Sequence, residues 1–170
     1  MEQLTEILHQ ATAAIGAEYF LLPIHGADPV YRERVYCYEL YHQMRRLWPV
    51  HSAYRLNGEV DKGGHPYFQN DRGKPKPDLL VHVPGGGDNH AVIEVKSSRG
   101  HAKEIRKDLT TLCRFGNLGY QRPIYLVYGG KDMLPRIQQC ATDVSVPIEV
   151  WFHPAVNAPA TRAFILTPHH

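Results

Sequence analysis

Apolar residues recur at Leu4, Ile7, Leu8, Ala11 and Ile15, the three-and-four spacing of one helical face, and predict a helix over residues 1–16. The stretch from Tyr19 to Pro29 is apolar and is then broken by Pro23, Gly26 and Pro29. Asp28-Pro29 has the form of a helix start, an aspartate cap before a proline in the first turn. From there Cys37, Leu40, Tyr41, Met44, Leu47 and Trp48 form one apolar face, predicting a helix that runs to Trp48, ahead of Pro49. Asn57-Gly58, between two alternating segments, predicts a two-residue hairpin turn.

Beyond that turn the period changes. Lys74 to Pro84 reads as a strand, Gly85 to Asn89 as a turn, and His90 to Ser98 as a second strand apolar enough to be central. Ile105, Leu109, Leu112, Cys113 and Phe115 predict an amphipathic helix over His101 to Gly116. Pro123 to Gly130 reads as a buried strand, Lys131 to Cys140 as a short helix weakened by Pro135, and Val146 to Phe152 as a last strand. The succession predicts an α/β fold, a mixed central sheet flanked by helices.

Composition narrows the class. With 170 residues and 43% apolar content, the chain is expected to be a single domain, 1–170, with a real core. Charged residues at 21% and aromatics at 10% exclude a disordered chain. No apolar run approaches the ~20 residues needed to span a bilayer, and no secretory signal opens the chain, so the expectation is a cytoplasmic protein with no membrane partner. Cys37, Cys113 and Cys140 are odd in number and lack metal spacing, which fits reduced thiols. A net charge of +2 excludes a basic coat but leaves room for a local basic patch.

The candidate chemistry lies in Pro77-Asp78 on one predicted strand and Glu94-Val95-Lys96 on the next. Strand side chains alternate, so Glu94 and Lys96 share a face. Folding back over a glycine turn centred near Gly86-Gly87 brings Asp78 opposite or diagonal to Glu94, at the ~5 Å separation of cross-strand neighbours. Two carboxylates that close repel unless a cation lies between them. A hard divalent cation, Mg²⁺ or Mn²⁺, takes carboxylate oxygens and keeps several waters. Such a metal polarises a phosphoryl oxygen and acidifies bound water. A lysine beside it can orient the attacking water or offset transition-state charge.

In these residues the chain resembles the PD-(D/E)XK nuclease superfamily, which has the restriction-endonuclease-like fold. The resemblance covers roughly the central hundred residues, where 29–128 follow the α-β-β-β-α-β order of a restriction-endonuclease-like core. It implies that Asp78 and Glu94 are metal ligands and Lys96 the catalytic lysine. It implies an outer or second-metal ligand from the preceding helix, for which Glu39 is the match. The activity implied is Mg²⁺- or Mn²⁺-dependent hydrolysis of nucleic acid, DNA rather than RNA.

Arg99, Lys103, Arg106 and Lys107, set against the single acid Glu104, follow the proposed catalytic strand and are expected to contact the phosphate backbone. Glu59, Asp61 and His65 are read as decoration of the hairpin. The histidines show no short ligand pair, which argues against a zinc site. Gly129-Gly130-Lys131 lacks the spacing of a phosphate loop. Two other classes use the same residues: a nuclease-fold module that binds nucleic acid or assembles without catalysis, and a small-phosphoester hydrolase. The intact Asp78, Glu94 and Lys96 argue against the first. The basic stretch and the lack of a nucleotide-binding loop argue against the second. No motif for reading bases is present, so specificity is expected from DNA structure, a homodimer or a partner protein.

Overall fold

A computed structural model describes residues 3–60 and 75–168. Two helices open it, α1 (Leu4–Ala13) and α2 (Ala17–Phe20). A small antiparallel ribbon follows, β1 (Leu22–Ile24) and β2 (Ala27–Val30), and then the long α3 (Glu33–Arg46). The main sheet begins with β3 (Arg55–Gly58), β4 (Leu79–His82) and β5 (Asn89–Ser97). It continues as α4 (Ala102–Asn117), β6 (Arg122–Tyr128), α5 (Met133–Cys140), β7 (Ile148–His153) and β8 (Thr161–Leu166). The six strands lie in the order β3-β4-β5-β6-β7-β8. The two pairs at the β3 end and the pair at the β8 end are antiparallel, and β5, β6 and β7 are parallel. The fold is therefore α/β, a mixed six-stranded sheet flanked by helices. Among the described residues no helix is long and apolar enough to cross a membrane.

Strand alternation divides the core in two. Leu79, Val81, Ala91, Ile93 and Val95 point to one face, where Leu4, Leu8, Leu40 and Met44 of α1 and α3 pack against them. Leu80, Val92, Tyr125 and Val127 point to the other, covered by Ile105, Leu109 and Leu112 of α4 and Ile137 of α5. Each such side chain contributes about 1.5–3 kcal/mol by leaving water. β5 is buried on both faces, which explains its nearly unbroken apolar run. At its start α4 is fastened by the Glu104 carboxylate, which accepts a hydrogen bond from the His101 N–H at 3.0 Å.

Three sequence expectations differ from the structure. Asp28-Pro29 lies inside β2, and the helix starts later, at Glu33. Pairing with β1 takes this segment, and proline is tolerated on so short a ribbon. The two-residue turn is His25-Gly26, where Gly26 has φ +73°, a conformation that suits glycine. Asn57-Gly58 is not a turn. These residues pair with Leu80 and Leu79, and the Asn57 side chain bonds the His82 ring at 2.9 Å. Ladder hydrogen bonds and that contact override the local turn preference; Asp61 and His65 lie outside the described residues. Finally, β7 is not the last strand, because β8 closes the sheet beyond it. The burial of β8 is mostly exposed, as befits an edge, so its sequence carries little alternation.

Candidate functional site

The glycine turn between β4 and β5 is closed by Val83 N–H to Asp88 O and Gly86 N–H to Val83 O, both 3.0 Å. It sets a register in which Leu79 pairs with Ile93, so Asp78, one residue earlier, stands across from Glu94. Asp78, Glu94 and Lys96 have the parity of Leu80 and Val92 and point to the α4 side of the sheet. The Val95 N–H donates to Asp78 Oδ2 at 2.7 Å, locking the carboxylate in place.

Asp78 and Glu94 face each other across the paired strands, closely enough that each shifts the ionisation of the other. Burial raises the Asp78 pKa to about 6. The Asp108 charge adds to the rise, while the Val95 N–H, Glu94 and Lys96 restrain it. Burial raises Glu94 well above the usual carboxylate range too, reinforced by Asp78 and Asp108.

Two further carboxylates hold Lys96. Its Nζ lies 3.0 Å from Glu33 Oε2 and 3.2 Å from Asp108 Oδ2. Glu33, the first residue of α3, also accepts from the Ser97 N–H and Oγ, both at 3.2 Å, which fixes the helix end to the end of β5. Asp108, on α4, accepts from the Tyr125 hydroxyl at 3.4 Å. Burial alone would lower the Lys96 pKa, but Asp108 and Glu33 outweigh it and hold the group above its ordinary value. Lys96 is therefore an ammonium and cannot serve as a base. Its stem lies against Gly100, where an added Cβ would fall 2.7 Å from Lys96 Cδ, so only glycine fits without displacing the lysine.

These groups form the floor of a cleft of about 690 Å³. Of the residues expected from sequence, Asp78, Glu94, Lys96 and Lys107 line it. Glu39 does not. Its carboxylate accepts from Gln43 Nε2 at 2.6 Å, and Gln43 in turn accepts from Arg46. Glu33 and Glu39 are six residues apart, which places them about 120° apart around the helix, so both cannot face one point. Arg99 lines a different groove, with His101 and Arg136. Arg106 borders a shallow depression beside Cys113 and Cys140, and Lys103 is exposed on α4.

Sequence reasoning missed Glu33 and Asp108. Asp108 carried a signal, since it falls at the spacing of Ile105, Leu109 and Leu112, an acid set in an apolar stripe. Glu33 carried none beyond its place in a helix whose start was put too early.

Among the described residues no three or more His, Cys, Asp or Glu side chains group to hold a metal. The Asp78–Glu94 pair nevertheless fits Mg²⁺, which demands few protein ligands and retains its waters. Two carboxylates facing each other across paired strands form an anionic site once both are ionised, and among the described residues the buried Lys96 ammonium beside them is already engaged by Glu33 and Asp108. No protein-family model, curated protein or solved structure matches the chain.

Proposed function

We propose that this chain is a nuclease with a restriction-endonuclease-like core that hydrolyses DNA phosphodiester bonds with Mg²⁺ or Mn²⁺. The observation that carries the reading is the Asp78–Glu94 carboxylate pair across two strands, with the Lys96 ammonium two residues along the same face. The order α3-β3-β4-β5-α4-β6 supports the α-β-β-β-α-β core.

Asp78 and Glu94 would hold the metal, which when bound supplies an acidified water and a polarised phosphoryl oxygen. The Val95 N–H keeps Asp78 oriented without blocking its second oxygen. Lys96 has three N–H donors, and Glu33 and Asp108 take two. Among the described residues no other acceptor takes the third, which suits a substrate oxygen, so Lys96 positions the attacking water or offsets charge as the phosphorus gains an oxygen. Burial of the floor strengthens that contact.

The test is supercoiled plasmid incubated with the protein in Mg²⁺ or in EDTA. Nicking or linearisation that needs Mg²⁺ and disappears in Asp78→Asn and Glu94→Gln supports the reading. Wild-type protein that binds Mg²⁺ yet leaves DNA and RNA intact overturns it.

A further inference from the structure

One wall of the acidic cleft is a single face of α4. Lys107, Thr110, Thr111 and Arg114 line it, at the spacing of one helical stripe. Lys76, just before β4, lines the cleft as well. Charge is layered: the acids lining the cleft (Glu33, Asp78, Glu94 and Asp108) surround Lys96, and the remaining cations are Lys76, Lys107 and Arg114. Lys76 and Lys107 are exposed, whereas Glu94 and Asp108 are buried.

We propose that the DNA strand being cut lies along this α4 face, with its phosphates held by Lys76, Lys107 and Arg114. This rests on the nuclease reading above. A polyanion is drawn to the rim and repelled by the floor, so the backbone is held at the lip while one phosphate is presented to Asp78 and Glu94. Lys107 and Arg114 are two helical turns apart, about 10.5 Å. At about 3.4 Å of rise per nucleotide, that wall spans about three steps of a strand. It is long enough to grip phosphates on both sides of the scissile one. Thr110 and Thr111 donate their hydroxyls to the Arg106 and Lys107 carbonyls, at 2.8 and 3.2 Å, so the cations make the phosphate contacts. Arg106 and Arg99 open onto other surfaces, and a strand seated over Asp78 passes Lys107 rather than either of them.

The experiment measures the affinity of the whole protein for a fluorescein-labelled DNA duplex across a salt series. Ca²⁺ replaces Mg²⁺, and a gel of the same samples shows that the DNA is intact. In the Lys76→Gln/Lys107→Gln double variant, the slope of log affinity against log salt is expected to shrink by about 0.9 per lost cation. Arg45→Gln, at an exposed position on α3, removes one cation away from the cleft and is expected to keep the wild-type slope. Both lysines are exposed, so the melting temperature should match wild type. A double variant with the wild-type slope overturns the proposal, as does a slope that instead shrinks in an Arg99, Lys103 and Arg106 triple variant. If the wild type cuts and binds DNA, either result refutes only the strand path. A wild type that neither binds nor cuts DNA refutes the nuclease reading, and the path with it.

Discussion

Replacing Asp78 with asparagine is expected to make the metal-free protein more stable at pH 8, although it removes a residue assigned to the active site. Asp78 has a folded-state pKa of about 6 against an ordinary 3.8, because burial and the Asp108 charge disfavour its ionised form. The folded protein therefore keeps the proton to higher pH than the unfolded chain does. The resulting penalty is absent below 3.8, grows as pH rises, and is complete above about 6. That interval corresponds to about 3 kcal/mol. Asparagine keeps an oxygen for the Val95 N–H but as a weaker, neutral acceptor, a loss of about 1 kcal/mol. A net gain of about 2 kcal/mol raises the melting temperature of a chain this size by about 4–8 °C. The assay is urea unfolding of both proteins in EDTA from pH 4 to pH 8. The difference between the two curves should grow by about 3 kcal/mol across that range. Saturating Mg²⁺ should then narrow the gap at pH 8, because it stabilises only the protein that retains both ligands. Parallel pH curves, or an asparagine variant no more stable at pH 8, would refute the argument that burial and the Asp108 charge hold Asp78 in a place that disfavours its ionised form.

Three other outcomes follow from the same contacts. Lys96→Gln should keep Mg²⁺ affinity, measured by calorimetry, while cleavage falls by about 10²–10⁴. Asp108→Asn should lower kcat about 10–100-fold with little change in KM, and Asp108→Glu should restore part of it, because the carboxylate acts by placing Lys96. Glu33→Gln should slow cleavage more than Glu39→Gln does, in single-turnover plasmid assays, because Glu33 touches Lys96 and Glu39 touches Gln43.

The sequence by itself determined where the pair of carboxylates and the lysine would meet. Two-residue alternation sets the faces of β5, and a short glycine turn leaves little freedom in how β4 pairs with it, so Asp78, Glu94 and Lys96 converge through local geometry alone. The apolar face of α4 was legible for the same reason, since helical spacing sets Ile105, Leu109 and Leu112 on one side of a single element. What no local rule settles is how one element is placed against another. Glu33 rather than Glu39 reaches Lys96 because Tyr36, Leu40 and Met44 pack α3 on the sheet in one rotation, with its first turn at the end of β5. Asp108 becomes the second partner of Lys96 only when α4 lies over β5 and β6. Asp28-Pro29 and Asn57-Gly58 carried turn and cap signals worth about 1 kcal/mol, less than the ladder bonds and packing that drew them into strands. Residues near in sequence answered to period and turn chemistry, and residues far apart were joined by the burial of apolar faces, which acts on the whole chain at once.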